Sequence, residues 1–333
     1  MNDLDVILAV RRCELGRWPT PVGEIETPFG SVLVKRDDLS GFGRGGAKTR
    51  KIESLIAYLL TRGRDELVTV AGNITNLAFD LLPALREADV RSSLFILDEP
   101  PIDWGLRERL FGEILGELHL LGRSRSRAAV AAVSAYARAR RAGRRPLLVL
   151  PGATHPVTVA GNARGFIEMV AQLEDPGTCL PETVFVTAAS GTTVAGFLIA
   201  EHALRRAGTR PIQIVGVQVY PGPLKAQTIG LVRWTERFLR LSGRVPRERI
   251  VLDSSQLHHG FGAYPDSLAA ACEQLRTESG IALDPIFGGK TWAAMEASQR
   301  QRPGLGSVLY WHCGYTPEWQ ALQQGRRRVT DLV

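Results

Sequence analysis

Short β-branched runs alternate along this chain with longer stretches in which apolar residues recur every three or four positions. Glu66–Ala71 centres on Val68, Thr69 and Val70 and predicts a strand. Leu77–Glu87 carries Leu77, Leu81, Leu82 and Leu85 at helical spacing and predicts a helix. The alternation continues with a strand over Arg91–Leu97, a helix over Leu106–Leu115 and a short strand over Leu118–Leu121. An Ala/Arg helix over Arg127–Arg141 and an apolar strand over Leu147–Leu150 close this first series. A second series runs from a helix over Val159–Leu173 to a strand over Thr183–Ala188 and a helix over Val194–Ala207. Ile212–Val219 predicts a strand and Thr228–Leu241 a helix. Ser267–Glu278 and Thr291–Arg300 predict helices, and Val308–His312 a terminal strand. Strands alternating with helices predict an α/β fold, with parallel sheets covered by helices on both faces. Right-handed crossovers place ligand sites at the carboxyl ends of such strands.

The composition is that of an ordinary soluble globular chain: 333 residues, 44% hydrophobic and 23% charged. It excludes a disordered chain, a collagen-like fibre and a disulfide scaffold. No apolar run approaches the roughly 20 residues that span a bilayer. Met1–Ala9 carries two Asp and no cationic segment, so the expectation is no signal peptide, no membrane partner and a cytoplasmic protein. Cys13, Cys179, Cys272 and Cys313 form no C-x-x-C pair, so neither a disulfide framework nor a metal site is expected. The plain reading of each is a small buried apolar residue. The net charge of +7 comes without aromatic interleaving or a nucleic-acid module, so no nucleic-acid partner is expected.

The lysines are more informative. Of 41 basic residues only Lys35, Lys48, Lys51, Lys225 and Lys290 are lysine. In a chain so rich in arginine, a retained lysine is a candidate for chemistry that a permanently charged guanidinium cannot do. Such chemistry includes a neutral amine or a Schiff base. Lys48 and Lys51 follow a glycine-rich approach, Gly45-Gly46-Ala47.

Two further segments sit where a strand ends and a helix begins. Ala188-Ala189-Ser190-Gly191-Thr192-Thr193 brings small residues, hydroxyls and helix-start N–H groups together, which suits a phosphate. It is neither a Walker A loop nor G-x-G-x-x-G, and a small-residue helix cap is the competing reading. Gly72-Asn73-Ile74-Thr75-Asn76 suits a carboxylate, and an ordinary N-cap explains it equally well. A lysine amine, a phosphate cup and a carboxylate turn together describe a pyridoxal 5'-phosphate site for an amino acid.

On these residues the chain resembles the D-cysteine desulfhydrase / 1-aminocyclopropane-1-carboxylate deaminase family. That family belongs to the tryptophan-synthase-β-like, fold type II pyridoxal-phosphate enzymes. The resemblance begins at Pro19-Thr20-Pro21 and Val34-Lys35-Arg36-Asp37-Asp38-Leu39-Ser40-Gly41. It continues through Gly45–Glu53, similar to the family's GGNKxRKLE, and through the loop Ser190–Gly196. Asp284-Pro285-Ile286-Phe287-Gly288-Gly289-Lys290 is similar to DPVYxGK, and His312-Cys313-Gly314 to HTGG. The resemblance implies a large domain, residues 1–53 plus 159–333, with a small α/β domain, residues 54–158, inserted into it. It implies a homodimer. It makes Lys48 the Schiff-base lysine and the base that takes the α-proton. Lys51 supports the phosphate beside Ser190, Gly191, Thr192 and Thr193. Asn76 hydrogen-bonds the cofactor's phenolic oxygen, and Thr75 holds the substrate carboxylate.

The departures shape the functional expectation. Leu77 stands where the family has a polar residue, Phe287 where it has a tyrosine, and Gly288 where the deaminase has an acid. Tyr264 takes the place of a second family tyrosine only after a one-residue shift. Cys313 matches a hydroxyl residue that faces the pyridine nitrogen, and core packing is its equal alternative. The leading expectation is a lyase that removes the α-proton and eliminates a β-substituent from an amino acid. Poor D-cysteine desulfhydrase activity is expected from the more apolar pocket. The alternatives are β-replacement, ring opening of the deaminase kind, and a cofactor-binding protein without catalysis.

Overall fold

The computed structural model describes residues 2–73, 76–99, 104–174, 179–302 and 304–316. The first part of the chain runs α1 (Asp3–Leu8), β1 (Val22–Thr27), β2 (Gly30–Lys35), α2 (Ala47–Thr61), β3 (Glu66–Gly72) and α3 (Leu77–Glu87). It continues with β4 (Arg91–Leu97), α4 (Trp104–Phe111), β5 (Leu118–Leu120), α5 (Arg125–Arg141) and β6 (Pro146–Leu148). The second part runs α6 (Pro156–Leu173), β7 (Thr183–Ala188), α7 (Thr192–Arg206), β8 (Gln213–Gln218) and α8 (Leu224–Leu239). It closes with β9 (Val251–Asp253), α9 (Asp266–Ser279), α10 (Gly288–Gln301) and β10 (Val308–Trp311).

Two sheets form, as the alternation predicts. One has six strands in the order β1-β2-β10-β7-β8-β9, and the other four in the order β5-β4-β3-β6. Within these two sheets every pairing of strands is parallel except β1 with β2. That hairpin was not expected. Its strand Val22–Thr27 has only exposed and half-buried positions, with Gly23, Glu24 and Glu26 exposed, so it lacks the apolar run of a buried strand. The Thr27 hydroxyl closes its turn by donating to the Gly30 carbonyl at 2.7 Å.

The last strand lies near the middle of the large sheet. β10 pairs with β2 on one side and β7 on the other, and all four of its side chains are buried. Trp311 packs on Phe197 at 4.3 Å between ring centres, and Phe197 on Phe166 at 5.3 Å. Burying such rings stabilises the fold by about 2–3 kcal/mol each. This order sets the loops after β7 and β10 side by side at the carboxyl edge.

Several element boundaries differ from expectation: α8 starts four residues before the expected Thr228, α10 three before Thr291, and β6 ends at Leu148 instead of Leu150. Two further shifts have local reasons. The helix expected to reach Leu115 stops at Phe111, because Gly112 adopts φ +46° and a 3-10 segment, Gly112–Glu117, follows. α6 starts at Pro156, three residues before the expected Val159, because proline suits the first helical position and His155 caps it.

Candidate active site

The start of α2 is pressed against the loop that leaves β10. The Ala47 N–H donates to the Cys313 carbonyl at 3.0 Å. Gly46 has φ +103°, and a Cβ there would overlap that same carbonyl, so only glycine fits. Lys48 and Lys51 lie three residues apart and share a helix face. Lys48 is partly exposed and Lys51 is buried. Neither has a hydrogen-bond or ion-pair partner among the described residues. Burial, and then the neighbouring Lys48 charge, push Lys51 down to about 7. An anion held here would restore its charge.

The other side of α2 is locked to the sheet. The Arg50 guanidinium donates to both oxygens of Asp37, at 2.7 and 2.9 Å, and to Glu168. Asp37 also accepts from the Trp311 indole at 2.8 Å, and Lys35 pairs with Glu168 at 2.7 Å. Burial opposes the Asp37 charge, but Arg50 and Lys35 outweigh it and hold its carboxyl below the usual range. This network fixes the helix that presents Lys48.

The loop after β7 forms the small-residue cup. Gly191 is the N-cap of α7 at φ +76°, and no side chain caps that helix. A Cβ on Gly191 would stand 2.7 Å from the Thr228 hydroxyl. The Thr192 hydroxyl meets Ser190 Oγ at 2.8 Å and Thr154 Oγ1 at 3.0 Å. Thr192 and Thr193 are buried, and Ser190 is partly exposed. The uncapped first-turn N–H groups leave this helix start open to an anion.

Thr75 lies outside the described residues. Asn76 occupies the N-cap of α3 but makes no side-chain cap, so the ordinary-cap reading fails for it. Its Oδ1 accepts from the Arg44 guanidinium at 2.9 Å, and its Nδ2 donates to the Tyr315 carbonyl at 3.2 Å and to Thr316 Oγ1 at 3.0 Å. It therefore links the small sheet to the loop that carries Cys313. Leu77 turns into the apolar core with Ile52, Ile56 and Leu81. Phe287 and Tyr264 pack into one cluster with Phe261 and Tyr315. The Cys313 thiol is pushed up to about 12, chiefly by burial and then by Asp37, so it stays a neutral S–H. Cys272 is buried as expected, while Cys179 is exposed.

With this geometry in place, likeness to known proteins becomes informative. The model of the pyridoxal-phosphate dependent enzyme family matches residues 13–314. The chain belongs to that family. Pyridoxal 5'-phosphate is therefore its cofactor, and the α/β architecture is that of the fold type II members. A Pyrococcus abyssi protein, provisionally named a 1-aminocyclopropane-1-carboxylate deaminase, is 30% identical over 316 residues, 92% of each chain. The 1-aminocyclopropane-1-carboxylate deaminase of Burkholderia ambifaria is 27% identical over 308 residues, 87% of this chain and 88% of its own. A crystal structure described as an ACC deaminase homologue superposes with TM-score 0.81 at 23% identity, covering 98% of both chains.

The site holds three further side chains, of which the sequence reading names only Asp284, as part of the motif Asp284–Lys290 and without a role. Asp284 is buried, and its Oδ1 accepts from the Ile286 and Phe287 N–H groups at 3.0 and 2.8 Å. Its Oδ2 accepts from the Thr316 N–H at 3.1 Å. Asp80 is buried on α3 and accepts the Arg44 N–H at 2.7 Å. Burial raises both carboxyls to about 6, against hydrogen bonds and the Lys48 charge. Arg44 is the third. The available signals for Asp80 and Arg44 are an acid within the apolar run Leu77–Leu85 and a lone arginine inside Gly41–Gly46.

Proposed function

We propose that the protein is a lyase that removes the α-proton of a β-substituted amino acid and expels the β-substituent, water then hydrolysing the resulting enamine to a keto acid and ammonia. The observation that carries this is the lysine pair at the start of α2. A buried amine without a counter-ion among the described residues stands one turn from a partly exposed one, against the edge where the β7 and β10 loops emerge. That arrangement fits a phosphate-bearing aldehyde. Bound pyridoxal phosphate supplies the electron sink that makes the α-C–H bond acidic. Lys51 and the Ser190–Thr193 cup hold its phosphate. The Lys48 amine takes and returns the α-proton. Asn76 would orient the ring and Thr75 would hold the substrate carboxylate. The Cys313 thiol, neutral at ordinary pH, would leave the ring nitrogen uncharged if it met it, which would favour loss of a β-group. Phe287 and Tyr264 wall the substrate side chain.

Ring opening is the second reading, favoured by the name that the relatives carry. Phe287 offers no hydroxyl and Gly288 no carboxyl for it. The grouping of strands β3–β6 in one sheet supports a small inserted domain over residues 54–158. Trp234 and Phe238 of α8, each 38% exposed beside Tyr58 and His155, support a homodimer in which a second copy covers them.

The test is the visible absorption of the purified protein during addition of D- and L-amino acids, with Lys48→Ala beside it. The expected result is a cofactor band that one β-substituted amino acid shifts, with keto acid and ammonia released, D-cysteine being a poor substrate. The variant should lose the band shift and at least about 10³-fold in turnover. The same band and turnover in the variant would sink the assignment of Lys48.

A further inference from the structure

Arg44 grips the first turns of α3 at three points. Its backbone N–H donates to Asp80 Oδ1 at 2.7 Å. Its guanidinium donates from Nη1 to Asn76 Oδ1 at 2.9 Å. The same group lies 3.3 Å from the centre of the Phe79 ring, within cation–π range. One residue of the glycine-rich loop before Lys48 thus meets three positions of one helix.

This grip fixes which way the Asn76 amide points. A guanidinium can only donate, so the Asn76 atom facing it is the carboxamide oxygen. A peptide carbonyl can only accept, so the atom facing the Tyr315 carbonyl at 3.2 Å is the nitrogen. The two constraints agree. Asn76 therefore turns its N–H groups toward the segment His312–Thr316, with a cation behind its oxygen. A cation on the carbonyl side of an amide polarises the N–H groups on the other side.

We infer that Arg44 is a positioning residue, which orients Asn76 and strengthens its N–H groups as donors to an anionic oxygen on the cofactor ring. The inference rests on the reading of this pocket as the pyridoxal-phosphate site. The Thr316 hydroxyl, at 3.0 Å from Asn76 Nδ2, is the partner that a stronger anionic acceptor replaces. A polarised donor under positive potential favours the deprotonated form of the conjugated group it serves. Removing Arg44 then raises the pH at which the bound cofactor changes form.

The experiment titrates the visible band of the cofactor-loaded protein with pH, in wild type and in Arg44→Met, Arg44→Gln and Arg44→Lys. The expected midpoint moves up by about one pH unit in R44M, a tenfold change in proton affinity. It moves less in R44Q, which keeps a neutral donor, and least in R44K, which keeps the charge. If R44M does not fold, the order of R44Q and R44K decides. Midpoints equal to wild type in every folded variant overturn the inference, whatever happens to melting temperature or turnover. A wild type that shows no cofactor band overturns the reading of the pocket itself, and the inference with it.

Discussion

Asp80 and Asp284 carry a chemical demand that their neighbours only partly meet. Burial lifts both carboxyls to about 6, above the ordinary 3.8. A raised carboxyl favours the fold while it is protonated, so its contribution is complete below pH 3.8 and is lost as pH rises through about 6. Asp80→Asn keeps the oxygen that accepts the Arg44 N–H and cannot ionise. We expect D80N to be more stable than wild type by about 2 kcal/mol at pH 8 and unchanged at pH 4. Thermal melts of the two proteins at both pH values check this, and an equal difference at the two would contradict it. The lysines of the site were legible because lysine is rare in this chain. Asp80 was not, since a charge one turn into a helix reads as a solvent position. Only the packing of Gly43 and Arg44 against α3 shows it to be inside.

At the scale of elements, the cap of α6 shows how one side chain ties a helix to solution conditions. His155 Nδ1 accepts the Val157 N–H at 3.3 Å, and Thr158 Oγ1 accepts the His155 N–H at 3.1 Å. The ring is packed among Tyr58, Trp234 and Phe238. Burial pushes His155 down to about 4, so the fold requires the neutral ring. A lowered histidine contributes stability that is complete above pH 6.5 and is lost as pH falls toward 4. That loss is about 3 kcal/mol at pH 4. His155→Asn keeps a capping oxygen without the titration. Denaturant midpoints between pH 6.5 and pH 4 should fall less steeply in H155N, and parallel slopes would refute this. Helices and strands with clear periodicity, such as Leu77–Glu87 and Arg91–Leu97, have the bounds that the sequence predicts. The β1–β2 hairpin escaped because β1, with no buried position, resembles surface chain. The early start of α6 depends on a histidine cap, which is not among the common capping residues.

Across the whole molecule, parallel sheets flanked by helices follow from the alternation of element types. The order of strands does not. β10 is the final strand among the described residues, yet it lies between β2 and β7, and only long-range packing places Cys313 against the start of α2. Contacts between the two sheets' flanking segments are also tertiary. The Tyr220 hydroxyl, beyond β8, donates to Glu99, which Arg125 of α5 pairs at 2.7 Å. The scarcity of lysine has an outward face as well. Lys35 and Lys290 are fully buried, Lys51 is nearly so, and Lys48 lies in the pocket, while Lys225 is exposed at the start of α8. The surface presents its positive charge almost wholly as guanidinium, which acylating reagents leave untouched. Brief treatment of the native protein with an amine-reactive dye should therefore label Lys225 before any other lysine, as peptide mapping by mass spectrometry would show. Labelling of Lys35 or Lys290 without prior unfolding would contradict it. With the α-amine blocked, coupling through that one exposed lysine would fix the protein to a bead or electrode chiefly in one orientation, with no engineered tag.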